Sequence, residues 1–138
     1  MGSSTSTGEF KYRMMITVEK ESLLDELGKK LEKVGSILFA YVYGGFVERG
    51  FFRDVDVAVW IEDSGEAFRH EVELSSKLEA ELKNPIDVHV LNEAPLPLRH
   101  IVFTRGRLLF SRDEEARIRI VDETIRQYAD LRMLRSLG

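Results

Sequence analysis

Asp54-Val55-Asp56 stands at the mouth of an apolar, β-branched run, Val55 to Ile61, and this coupling of paired acids to a buried strand constrains the chain more than any other stretch. Residues two apart on a strand share a face, with Cα atoms about 6.5–7 Å apart, so both carboxylates are expected to converge on one site. Like charges facing the same way beside a core repel unless a cation or hydrogen bonds offset them. Carboxylate oxygens suit hard cations such as Mg²⁺. A glycine pair, Gly44-Gly45, closes another apolar run, Ile37 to Tyr43, nine residues before Asp54. Glycines in such a turn let backbone N–H groups approach a phosphate closely.

With 138 residues, 43% of them hydrophobic, the chain can bury one core, and we expect a single domain over 10–138. Residues 1–9, rich in Ser, Thr and Gly, predict a disordered tail or a cloning remnant. The absence of cysteine excludes disulfides and thiolate metal sites. No apolar run approaches the ~20 residues of a membrane span, and no secretory leader stands at the start, so the expected compartment is the cytoplasm. Charges of both signs are mixed and the net charge is −4, which gives no field favouring direct nucleic-acid binding.

Along the chain, Ser22 followed by Leu23, Leu24, Leu27, Leu31 and Val34 predicts an amphipathic helix that Gly35 ends in a left-handed cap. A strand follows from Ser36 to Tyr43, then the acid-bearing strand. Asp63 and Glu66 predict a capping box for a second helix, with Leu74, Leu78 and Leu82 as its stripe and Asn84-Pro85 as its stop. Ile86 to Leu91 predicts a third strand with Asp87 and His89 on one face. Leu98 to Phe103 reads as a helical turn and Arg107 to Phe110 as a short strand. Ser111 and Glu114 form an S-x-x-E cap for a terminal helix that is apolar on two faces, one carrying Ile118, Val121, Ile125 and Tyr128, the other Ile120, Thr124, Leu131 and Leu134. That helix either docks within the molecule or joins a partner, including a second copy of the chain. The expected fold is α/β (α+β in stricter usage): a small mixed sheet of about four strands, helices packed on one face and a long C-terminal helix.

If the two acid-bearing strands are neighbours, Asp87 lies beside Asp54 and Asp56, and three carboxylates can hold two Mg²⁺ ions for phosphoryl transfer. A lone D-x-D is common. The glycine pair and Asp87 make this one informative. The order of helix, strand ending in Gly44-Gly45, Arg49-Gly50, D-x-D and a later Asp resembles the minimal nucleotidyltransferases of the DNA polymerase β-like superfamily, from about Ser22 to Arg135. The stretch from Leu91 to Phe110 and the final helix further resemble the subgroup paired with HEPN-domain toxins.

The resemblance implies metal-binding and catalytic roles for Asp54, Asp56 and Asp87, and phosphate binding by Gly44, Gly45 and Arg49. It implies ATP as substrate, two Mg²⁺ ions, and AMP transfer to a tyrosine of a HEPN-type partner, with the chain acting as antitoxin. Gly45 stands where that family has serine, and the missing hydroxyl–phosphate bond should cost about 1–3 kcal/mol. The competing reading is therefore an antitoxin of weakened chemistry that neutralises its partner by contact. A third, transfer to a small molecule such as an aminoglycoside, is disfavoured because so short a chain shows no evident second domain for that substrate. His89 reads as a half-exposed sheet residue, and Phe51 as loop packing.

Overall fold

The computed structural model describes residues 13–137; the expected tail, 1–9, lies outside them. The chain runs β1 (Arg13–Met14), α1 (Thr17–Glu32), β2 (Ile37–Tyr43), α2 (Gly45–Glu48), β3 (Phe51–Phe52), β4 (Val55–Ile61), a 3-10 turn (Ser64–Glu66), α3 (Ala67–Leu82), β5 (Ile86–Val90), α4 (Leu96–Arg105), β6 (Arg107–Ser111) and α5 (Glu114–Leu137). Four strands form one mixed sheet in the order β5-β4-β2-β6. The pair β4–β5 is parallel, whereas β2 is antiparallel to both β4 and β6. The short β1 and β3 make a separate antiparallel ribbon. No helix among the described residues is long and apolar enough to cross a membrane.

The near-continuous apolar sequence of β2 follows from burial on both sides, since Ala40 and Val42 face one core and Phe39, Tyr41 and Tyr43 the other. α1 and α3 cover the first face through Leu27, Leu31, Leu74 and Leu78. The expected single helical layer describes this face. A second layer covers part of the opposite face, where Val102, Leu98 and Phe103 of α4 and Ile120 of α5 pack on Phe39 and Tyr41. The ring of Phe39 stacks on Trp60 at 5.9 Å, and Arg117 of α5 donates to the Tyr41 hydroxyl at 2.7 Å. Asp56, Asp87 and His89 lie on this second face.

Several boundaries differ from the sequence expectation. α1 starts at Thr17 rather than near Ser22, because Glu19 accepts from the Ile16 N–H at 3.1 Å and closes the first turn. Its end is not a left-handed glycine: Lys33 caps it in a right-handed conformation. Lys83 supplies the left-handed cap, at φ 56°, on α3. Asp63 does cap, accepting from Gly65 at 3.0 Å, but it opens the 3-10 turn that leads into α3. Ser111 belongs to β6, and Asp113 caps α5 by accepting from the Ala116 N–H at 3.1 Å. On α5 the face bearing Ala116, Ile120 and Thr124 turns inward, whereas Ile118, Ile125, Met133, Leu134 and Leu137 are exposed.

Candidate active site

The site is assembled by strand register. Tyr43 at the end of β2 is paired with Asp56 of β4, and Asp56 with Asp87 of β5, so the three stand in a row across the sheet. One ligand atom from each of Asp56, Asp87 and His89 falls within 4.8 Å of the others. His89 Nε2 is hydrogen-bonded to Asp87 Oδ2 at 2.9 Å and lies 3.9 Å from Asp56 Oδ1. His89 is the half-exposed strand residue expected of it, 35% exposed, and its two-residue spacing from Asp87 also brings it to the two acids. Asp54 sits on the bend before β4, outside this three-residue group.

Electrostatically the site carries an excess of negative charge. Burial pushes the Asp56 carboxyl up to about 6, and the neighbouring Asp54 adds to the rise, while His89 works against it and Asp87 contributes further. The Tyr43 hydroxyl is also pushed up, first by burial and then by Asp56, Asp87 and Glu71, so it stays protonated at neutral pH. Clustered carboxylate oxygens that are open to solvent on the Asp87 side fit a hard divalent cation such as Mg²⁺, which keeps part of its water shell.

Gly44 forms the wall facing Asp56. Gly44 adopts φ 80°, ψ −153° and starts α2, its carbonyl accepting from the N–H groups of Val47 and Glu48, both at 3.0 Å. A Cβ on Gly44 would stand 2.8 Å from Asp56 Oδ2, so glycine is what lets the carboxylate lie against the turn. At Gly45 the neighbour is Arg49, whose Nη2 lies 2.7 Å from where a Cβ would be. Lys20 of α1 fixes the far end of the turn by donating to the carbonyls of Phe46 at 2.9 Å and Arg49 at 3.1 Å. Phe46 and Phe52 anchor it from below, edge to face at 4.7 Å. Arg49 is exposed and sits over the Phe51 ring, 5.9 Å from its centroid.

A mixed sheet with acids on adjacent parallel strands, flanked by a glycine turn, is the framework of a nucleotidyltransferase fold. The family described as polymerase beta, nucleotidyltransferase, matches residues 25–115, well over half of the chain. This protein belongs to that family.

Among solved structures the chain is similar to one from the complex of tri-AMPylated Shewanella oneidensis HEPN toxin with MNT antitoxin. The TM-score is 0.70 at 23% identity, over 86% of this chain and 93% of that one. The toxin–antitoxin MntA-HepT complex gives a TM-score of 0.69 at 23% identity, covering 85% and 93%. A toxin–antitoxin structure with AMP-PNP gives 0.65 at 22%, covering 88% and 94%. At such identities the likeness establishes the fold. No curated protein matches.

Proposed function

We propose that this protein transfers AMP from ATP to a tyrosine hydroxyl of a HEPN-type partner in a Mg²⁺-dependent reaction, and so acts as the partner's antitoxin in the cytoplasm. The observation that carries the reading is the register of Asp56 against Asp87 with Gly44 seated on the Asp56 carboxylate. The complexes to which the chain is similar, one with an AMPylated HEPN toxin and one with AMP-PNP, support the choice of nucleotide and partner.

Asp56 and Asp87 would hold Mg²⁺, with Asp54 reaching in from the bend before β4 and His89 completing the group. The ion would supply neutralisation of charge on the phosphates. Gly44 and Gly45 present backbone to the triphosphate, and the Arg49 guanidinium stands beside them as a countercharge. Asp87 is the more exposed acid, so it faces the incoming hydroxyl and takes its proton, while His89 orients it through the 2.9 Å hydrogen bond. Asp87→Asn is therefore expected to keep most nucleotide binding and to lower transfer by at least about a hundredfold. Transfer at the wild-type rate would reduce Asp87 to a structural role.

Labelled ATP, purified partner and Mg²⁺ or chelator test the function: label on the partner that requires the cation supports it. A second reading, neutralisation by contact alone, draws on Gly45 and on the position of Asp54 outside the cluster. It is preferred if no label is transferred while the partner is still neutralised.

Gly45→Ser probes the same divide. Gly44 alone among the described glycines has a positive φ, so the backbone at 45 accepts a side chain, and the obstacle is the flexible end of Arg49. The expected result is a roughly five- to hundredfold gain in ATP affinity or transfer, corresponding to about 1–3 kcal/mol for a bond to a charged oxygen. A fall instead would mean that displacing the Arg49 guanidinium from over Gly45 costs more than the new hydroxyl contributes.

A further inference from the structure

β5 carries both Asp87 and His89, yet it is the outermost strand of the sheet and pairs with β4 alone. A strand bonded on one side frays and offers its outer N–H groups to other chains. Here those groups are taken by one face of α3. The Ile86 N–H donates to Glu79 Oε2 at 3.2 Å, Val88 to Ser75 Oγ at 2.9 Å and Val90 to Glu71 Oε2 at 2.8 Å. The match is one of spacing: four residues of helix advance about 6.0 Å and two residues of strand about 6.6 Å, so three side chains of α3 keep step with three N–H groups of β5. Two of these bonds flank Asp87 and two flank His89, with Ser75 common to both.

We propose that Glu71, Ser75 and Glu79 are positioning residues for the transfer reaction, clamping the edge strand so that Asp87 and His89 stay within reach of Asp56. The inference rests on the nucleotidyl-transfer reading for its kinetic consequence and on β5 alone for its structural one. The clamp does two things. It supplies the second row of hydrogen bonds that an interior strand would have, and it closes the edge to strand addition. An acceptor must then present a side chain to the groove of about 320 Å³ beside Asp87 and His89 rather than pair its backbone with β5.

The full-length protein with its partner, Mg²⁺ and ATP is the system for the test, below the melting transition of every variant. Glu71→Ala and Ser75→Ala should each lower the transfer rate roughly ten- to hundredfold, the penalty of an ångström-scale misplacement, with KM for ATP changed less than about twofold. Amide hydrogen exchange at Val88 and Val90 should accelerate at least about tenfold in the same variants, as local opening of the edge becomes easier. Glu71→Gln keeps an acceptor oxygen without the charge and should restore both rate and protection. Wild-type transfer in both alanine variants, unchanged exchange, or a Gln variant as impaired as Ala would each overturn the proposal. If the wild-type protein itself transfers no label, the enzymatic reading falls and the kinetic role with it, whereas exchange at Val88 and Val90 still decides whether α3 holds the strand.

Discussion

Asp56→Asn is expected to abolish Mg²⁺-dependent ATP binding and transfer while making the metal-free protein more stable. The two effects have one cause. In the folded chain the Asp56 carboxyl titrates at about 6, against the usual 3.8, mainly because it is buried, and its side chain is 27% exposed. The folded form therefore holds the proton more tightly than the unfolded one. The stability this contributes is complete below about pH 4 and is lost as pH rises through about 6. At neutral pH the bare carboxylate thus opposes folding by on the order of 3 kcal/mol, and asparagine removes that opposition. In chelator, Asp56→Asn should melt several degrees above wild type at pH 7, with the difference shrinking toward pH 5. With Mg²⁺ and ATP the order should invert, because ligand binding stabilises only the protein that retains the anion. Calorimetry and thermal melts in both conditions make the measurement. A variant that melts lower than wild type in chelator would mean that the carboxylate is satisfied by its protein neighbours and is not waiting for a cation.

The strands were legible because apolar runs bounded by glycine, proline or asparagine specify buried strands, and a two-residue period assigns their faces. Asp87 and His89 share a face for that reason. The register that sets Asp87 beside Asp56 was legible only as a condition, since periodicity does not say which strands are neighbours. The four-residue α2 and the two-residue β1 and β3 escaped notice altogether. Such short pieces have no period; packing between Phe46 and Phe52 and the Lys20 bonds to the turn hold them. The cap of α5 was misplaced because two capping residues lie close together. Ser111 and Asp113 both qualify by type, and the pairing of β6 with β2, which extends through Ser111, leaves the cap to Asp113. The α3 clamp on β5 was also invisible, because Glu71, Ser75 and Glu79 look like an ordinary polar helix face until the edge strand is laid against them.

Gly44→Ala should cost both activity and stability. At φ 80° and ψ −153° the residue lies in a region that only glycine occupies at low cost, so alanine strains the backbone by about 1–3 kcal/mol before any contact is counted. Its methyl would also come within 2.8 Å of Asp56 Oδ2, the end of a half-buried carboxylate between Tyr43 and Asp87, so one of the two must shift. Lifting of the turn away from β4, or a shift of the Asp56 carboxylate, relieves the contact, and either separates the phosphate-facing backbone from the metal-facing oxygen. Two variants isolate the contributions. Gly44→Ala alone is expected to lower the melting temperature and to cut ATP affinity at least about tenfold. Combined with Asp56→Gly it should keep only the backbone share of its destabilisation, since the clash partner is gone. Equal destabilisation by Gly44→Ala in both backgrounds would show that the contact with Asp56 contributes nothing and that the φ requirement alone keeps glycine at this position.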